Sequence, residues 1–319
     1  VGSILRALSG EILSLIVEHL RRVNSGELDA VTCGRLIAAT LAEREPFVEL
    51  QSNRVASFSN AARDQSIGPE ALARLNVLLP WSSFNCLAGD GRFLGSAWSL
   101  TKRAQAHGLP DKGVVRLNDL VPLRDLSVLE VGCYEGHHTA SLAHYARDVW
   151  AFDARIENVL KTLVRLWVLG LERSAVVNLV DIEGDPVKEQ LARLGRAEPF
   201  DLIHHRGVLY HLSKPIEHLA DMASLCSRYI YLHTHVAKKQ QVNTTHRSEL
   251  GDFEVFSYKE PKRSTSPFSG MTEGAIWLTR EGVFRALRRL HFDDIQVLDE
   301  REERHGLRIE LIASRVAAC

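Results

Sequence analysis

Cysteine is scarce in this sequence, and none of the five residues forms a CxxC pair. Cys33, Cys86, Cys133, Cys226 and Cys319 are odd in number and far apart, which argues against a zinc ribbon and against a disulfide framework. Reduced thiols in a cytoplasmic protein are the simplest expectation. No apolar run reaches the ~18–20 residues of a membrane-spanning helix. The apolar start is interrupted by Arg6, Glu11 and Glu18 and reads as an amphipathic helix, not a signal peptide. Excess charge of one sign is also lacking. The formal net charge is −1 at pH 7, so no global field draws the chain to nucleic acid. A local basic stretch (Arg92, Lys102, Arg103, Lys112, Arg116) leaves tRNA open as a partner without favouring it. Internal repeats and low-complexity tracts are absent.

What is present is ordinary globular material: 319 residues, 45% hydrophobic and 25% charged, enough for one large domain or two smaller ones. Ile4, Leu8, Ile12, Leu15 and Ile16 recur at helical spacing, a second helix is expected after Asp29, and a third after Pro69. Gly89-Asp90-Gly91 signals a hairpin turn and 107–113 a linker. Beyond it, short β-branched runs alternate with helical stretches, as in a parallel sheet with crossover helices. Strands are predicted at Ser127–Gly132, Val149–Phe152, Ala175–Val180, Asp201–His204 and Tyr229–His233, with helices near Gly136–Tyr145, Arg155–Leu169, Pro186–Leu194 and Pro215–Leu225. Segment 236–278 has no clear period and reads as a lid or substrate-binding insertion. A helix (Arg280–Leu290) and two strands (Asp294–Leu298, Leu307–Ala313) close the chain. The expected organisation is a mainly helical N-terminal cap over 1–110 and an α/β domain over 111–319. The apolar face of the N-terminal helices also offers a surface for a second copy.

The sharpest local feature is Val128-Leu129-Glu130-Val131-Gly132-Cys133-Tyr134-Glu135-Gly136. A strand runs into a glycine turn that opens a helix, so backbone N–H groups face any ligand over the turn. Asp153 ends the next strand, where an acid can accept from ribose hydroxyls. The three-glycine GxGxxG pattern is absent, and Glu130 just before the turn is poor company for a pyrophosphate. A cationic ligand without phosphate fits better.

These residues resemble the first motif of class I S-adenosylmethionine-dependent methyltransferases. Gly207-Val208-Leu209-Tyr210-His211-Leu212 is similar to a GVLYHL pattern in a subset that includes the tRNA wobble-uridine carboxymethyl transferase. The resemblance covers about Val114 to Ala313. It implies a doubly wound, Rossmann-like, mostly parallel α/β sheet with an N-terminal helical extension. It implies S-adenosyl-L-methionine as cofactor and S-adenosyl-L-homocysteine as product, held by Glu130, Gly132, Tyr134, Gly136, Asp153, Asp181 and Ile182. Tyr134 stands where many members have glycine, and is expected to fold over the ligand or to narrow the site.

In such sheets the ligand lies beyond the carboxyl ends of the strands, where histidines crowd. His205, His211 and His235 are the candidate bases for a substrate hydroxyl. Arg206, Tyr210, His233, Tyr258 and Trp277 are candidate substrate contacts. A zinc site from His233, His235 and His204 or His205 lacks a completing carboxylate or thiolate, and no metal is expected. The leading expectation is O-methylation of a small molecule or biosynthetic intermediate. The alternatives are an RNA-modifying transferase and a non-catalytic cofactor- or partner-binding protein.

Overall fold

The computed structural model describes residues 69–79, 81–87, 93–95, 106–171, 173–259 and 269–315. The helices expected at Ile4 and after Asp29 lie outside the described residues. Helix α1 (Pro69–Leu78) opens on a proline whose missing N–H costs nothing in a first turn. Strands β1 (Asn85–Leu87) and β2 (Phe93–Gly95) pair antiparallel as the expected hairpin, whose glycine turn is itself outside the described residues. The segment expected as a linker ends in structure. Asp111 caps helix α2 (Lys112–Leu120), its side chain accepting from the Gly113 N–H.

The main body alternates strands and helices. Strand β3 (Ser127–Val131) leads to α3 (His137–Tyr145), β4 (Asp148–Asp153) to α4 (Ile156–Val168), and β5 (Val176–Leu179) to α5 (Val187–Arg193). Strand β6 (Phe200–Arg206) leads to α6 (Pro215–Ser224) and β7 (Cys226–His235). The chain finishes with α7 (Arg280–Arg289), β11 (Asp294–Glu303) and β12 (Gly306–Ser314). Among the described residues, seven strands form one sheet in the order β11-β12-β7-β6-β3-β4-β5. β3 is parallel to β4 and β6, β4 to β5, and β6 to β7, whereas β12 runs antiparallel to β7 and β11 antiparallel to β12. The sheet is therefore doubly wound, with its direction of growth reversing between β3 and β6.

Both faces of the sheet are covered, and alternate residues serve alternate faces. Val128, Leu202, Tyr231 and Ile312 pack beneath α2 and α3 with Val114, Leu117 and Leu142. Leu129, Ile203, Leu232 and Leu311 pack on the other face with Ile216, Leu219 and Met222 of α6.

The segment expected to lack regular structure carries three strands: β8 (Thr244–Ser248), β9 (Gly251–Lys259) and β10 (Gly274–Leu278), in the order β10-β9-β8. Strand β9 buries Phe253 and Val255 and exposes Asp252, Glu254 and Ser257, the period-2 signature of a sheet covered on one side. Among the described residues no helix is long and apolar enough to cross a membrane.

Candidate active site

The reversal point between β3 and β6 is where a doubly wound sheet opens a crevice at its carboxyl edge. A cavity of about 1080 Å³ occupies it, running from the turn after β3 to the hairpin between β11 and β12.

Its first half is built by the turn. The N–H groups of Gly132 and Cys133 both donate to Phe152 O at 2.9 Å, clamping the turn against the end of β4. Gly132 has φ +76, and a Cβ there would run into Val208 Cγ2. Gly136, the residue before α3, has φ +73, and its Cβ would lie 2.8 Å from Thr162 Cα. Both glycines are thus fixed by conformation and by close approach. Asp153 lines the cavity and is oriented from below. Its Oδ2 accepts from the Tyr134 N–H at 3.0 Å, and its Oδ1 accepts from the Arg155 N–H at 2.9 Å and from Asn158 Nδ2 at 3.1 Å. Burial raises its pKa, opposed by these donors.

The residues expected at the cofactor do not all face it. Glu130 is 1% exposed and stands behind the turn, accepting from Thr139 Oγ1 at 2.5 Å. Burial pushes its carboxyl up to about 8, so at neutral pH it is largely a neutral acid. Asp181 is exposed, and its Oδ1 accepts from the Glu183 N–H at 3.1 Å. Ile182 and Glu183 line the cavity in its place. Tyr134 lies along the cavity wall, its hydroxyl 3.2 Å from Ser83 Oγ and its ring edge-on to Phe84. Burial pushes this phenol up to about 12. The next residue, Glu135, accepts from the N–H groups of Ser82, Ser83 and Phe84 at 2.5, 3.2 and 2.8 Å. Buried Lys161 pairs with the same carboxylate at 3.5 Å. The turn thereby holds the segment that carries Phe84, which stacks on His137 at 4.5 Å between ring centroids.

The second half is built by side chains from distant elements. His205 is not among them. It shares the opposite face of the sheet with Ile203, its Nε2 lies 2.9 Å from His218 Nε2, and it is fully buried. Burial holds it down to about 4. A base must reach the proton it removes, and from there His205 reaches none in the cavity. His211 lines the cavity on the short 3₁₀ turn Leu209–His211, its ring 4.1 Å from that of Tyr210. His235 also lines it. Its Nδ1 faces Leu307 O at 3.3 Å and its Nε2 faces Arg308 Nη2 at 2.6 Å. A carbonyl only accepts and a guanidinium only donates, so Nδ1 carries the proton and the Nε2 lone pair is engaged. Burial, then Arg308, lowers its pKa to about 4.

Arg206, Tyr210, His233, Tyr258 and Trp277, the expected substrate contacts, all line this half. Trp277 stacks on His235 at 5.1 Å and lies 5.5 Å from Tyr258. Arg206 Nη1 donates to the Tyr231 hydroxyl at 3.1 Å.

Sequence reasoning missed Asp111, His137 and His138, which also line the cavity. His137 Nε2 is 3.5 Å from Asp111 Oδ2, and burial lowers the pKa of both histidines. The paired histidines just after Gly136 were a usable signal. Asp111 carried none, because it sits among breakers that read as a linker. Arg301, Arg304 and Arg308 were missed as well. Of the basic stretch, Arg92, Lys102 and Arg103 lie outside the described residues, and Arg116 pairs with Glu310. Among the described residues no three His, Cys, Asp or Glu side chains converge as a metal set.

The family described as "Methyltransferase domain" matches residues 101–264. Among solved structures, the N-terminal domain of EvdMO1, crystallised in the presence of SAH and D-fucose, superposes with a TM-score of 0.60 at 23% identity. The match covers 77% of this chain and 96% of that one. The same domain with SAH bound gives the same values: 0.60, 23%, 77% and 96%. Magnesium protoporphyrin IX methyltransferase from Synechocystis PCC 6803, with bound SAM, follows at 0.42 and 15% identity, over 64% of this chain and 76% of that one. No protein of curated function matches the chain.

Proposed function

Since the chain belongs to the methyltransferase-domain family, we propose that it transfers a methyl group from S-adenosylmethionine to a hydroxyl of a small-molecule acceptor. One observation carries the reading. The glycine turn anchored to Asp153 and the wall of histidines, arginines and aromatic rings open on the same cavity. The co-crystallised SAH and D-fucose of the EvdMO1 domain support the same two classes of ligand.

The turn suits this cofactor. Asp153, Gly132 and Tyr134 would hold the ribose and the chain beside it, and Ile182 and Glu183 the base. Arg155 directs its Nη2 to the carbonyls of Ser269 and Gly270 at 2.9 and 3.0 Å, which suits a nucleoside that lacks phosphate. When bound, the sulfonium supplies an electrophilic methyl and a leaving group that needs no protonation.

The protein's part is to align the acceptor and remove its proton. His211 is the proposed base. It sits on the turn after β6, whose Val208 packs directly against Gly132 of the glycine turn. His235 is assigned to hold Arg308 and Trp277 in place, since its lone pair is engaged.

Calorimetry with S-adenosylhomocysteine tests the cofactor. Micromolar binding by the parent is expected, weakened about 10–100-fold in Asp153→Asn, the worth of charge-assisted hydrogen bonds. Absence of binding by folded parent protein would end the reading. His211→Asn is expected to lower turnover by about 10²–10⁴-fold and to leave that affinity unchanged. Full turnover in the variant would pass the role of base to the Asp111–His137 pair.

A further inference from the structure

At the far end of the cavity, three adjacent strands present one face. His235 of β7 is in register with Arg308 of β12, and Arg308 with Arg301 of β11. One row below, Arg206 of β6 is in register with His233 of β7. All five side chains line the cavity, as does Arg304 from the hairpin that joins β11 to β12.

Like charges directly opposite on neighbouring strands oppose folding. Arg301 and Arg308 are nevertheless placed so, with Glu303 facing both: its Oε1 is 2.9 Å from Arg301 Nε and its Oε2 3.3 Å from Arg308 Nε. Asp299 also pairs with Arg301. Neither of these carboxylates lines the cavity. Of the acids that do, Asp153 and Glu183 belong to the turn half, and Asp111 lies 4.0 Å from Arg206.

Beside these acids, the two more buried guanidiniums also have neutral partners. Arg206 Nη1 donates to the Tyr231 hydroxyl at 3.1 Å. Arg308 Nη2 donates to His235 Nε2 at 2.6 Å and to the Tyr210 hydroxyl at 3.3 Å. Such contacts orient a guanidinium without cancelling its charge. Between them stands His233, 4% exposed, its Nδ1 buried without a partner. Burial lowers this histidine to about 2, with Arg206, Arg308 and Arg301 adding to the effect. Four arginines thus line this wall, and of the three acids set against them, Asp111, Asp299 and Glu303, Asp111 alone lines the cavity.

We infer that the acceptor carries an oxyanion, a phosphate or a carboxylate, that seats between Arg206 and Arg308 with Arg301 and Arg304 at the mouth. The inference rests on the methyltransferase reading for the word acceptor. The anion site itself stands on the side chains above. Planar guanidiniums from two strands match the oxygens of either group bidentately.

The test is calorimetric titration of pyrophosphate and, separately, of malonate, into protein with and without saturating S-adenosylhomocysteine. At least one anion is expected to bind with a Kd of about 1 mM or tighter. Arg206→Gln and Arg308→Gln should each weaken it at least about tenfold while S-adenosylhomocysteine affinity stays unchanged, which certifies the fold. Arg304→Gln, on an exposed turn, should weaken it about threefold. Stronger binding of pyrophosphate assigns a phosphate ester, and stronger binding of malonate a carboxylic acid. Failure of both anions to bind folded protein, or equal binding by all three variants, overturns the inference. Arginine-dependent anion binding without S-adenosylhomocysteine binding would keep the anion site and remove the cofactor reading.

Discussion

The two halves of the cavity are built in different ways. The turn side comes from short runs of chain: residues 132–134 after β3, 152–155 and 158 from the end of β4 onward, and 182–183 after β5. Its geometry is mostly backbone, fixed by positive φ angles and by N–H groups closing on Phe152 O. The far side is gathered from α2, β6, β7, β9, β10 and the β11–β12 hairpin, and its geometry is mostly side chain. A backbone-built half fails through the fold when it is damaged. A side-chain-built half can change chemistry while the fold survives.

The largest expected effect tests that contrast. Gly136→Val would force a β-branched residue into φ +73 with its Cβ 2.8 Å from the Thr162 backbone. Left-handed strain and overpacking together should lower stability by about 3–5 kcal/mol, read by urea unfolding. Tyr258→Ala, in the far half, removes a half-buried ring that packs beside Trp277 and should cost about 1 kcal/mol or less. It should raise the acceptor KM about tenfold with no change in cofactor affinity. If Tyr258→Ala proved as destabilising as Gly136→Val, the division between the halves would fall.

The same contrast decides what the sequence made legible. The parallel sheet and crossover helices could be read because each element follows its own period. The turn was readable because strand, glycines and acid are close in sequence. The far half was readable only as a list of types. His204-His205-Arg206 illustrates why. Neighbours on a strand face opposite sides, so His205 and Arg206 could not both line one cavity, yet nothing local says which face is open. That depends on α6 closing over Ile203 on one face, while on the other Asp111 and the first turn of α2 border Arg206 at the cavity. The sheet over 244–278 was missed although Phe253 and Val255 alternate with polar residues. Its flanking strands are short, and β8 is mostly exposed.

A second prediction sets the two faces of the sheet against each other through pH. His204 and His205, on opposite faces, are fully buried and held to about 3 and about 4 by burial. Their folded pKa values lie below the ~6.5 of an unfolded histidine, so the unfolded chain binds more protons. Their contribution is complete above about pH 6.5 and is lost as pH falls towards 4, at about 1.4 kcal/mol per unit for each. Glu130 works in the opposite sense. Its carboxyl, raised to about 8, contributes stability below about pH 4.5 that is lost as pH rises through 8. Urea midpoints should rise from pH 5 to 6.5, where the two histidines outweigh Glu130, and fall from 6.5 to 8, where Glu130 acts alone. Glu130→Gln should steepen the rise between pH 5 and 6.5 and flatten the fall above it. A Glu130→Gln profile that is flat from pH 5 to 6.5 would mean that these histidines are not held neutral.

The smallest expected effect concerns the boundary of the turn half. The resemblance placed a cofactor contact at Asp181, and the structure turns that side chain to solvent, where its Oδ1 caps the Glu183 N–H. Glu183 lines the cavity instead, and both its oxygens are in use. Oε1 accepts from Ser213 N and Oγ at 2.7 and 2.6 Å, and Oε2 accepts from Thr272 Oγ1 at 3.2 Å. It therefore ties the loop after β5 to the loop after β6 and to the approach to β10. Asn can make the same cap as Asp, so Asp181→Asn should leave S-adenosylhomocysteine affinity within about twofold. Glu183→Gln keeps one acceptor oxygen but loses the charge that strengthens these bonds, and should weaken affinity about three- to tenfold. The reverse order of effects would return the contact to Asp181. The loop between β5 and α5 would then have to reorganise around the ligand, and the turn half would no longer be the part of the site set by backbone alone.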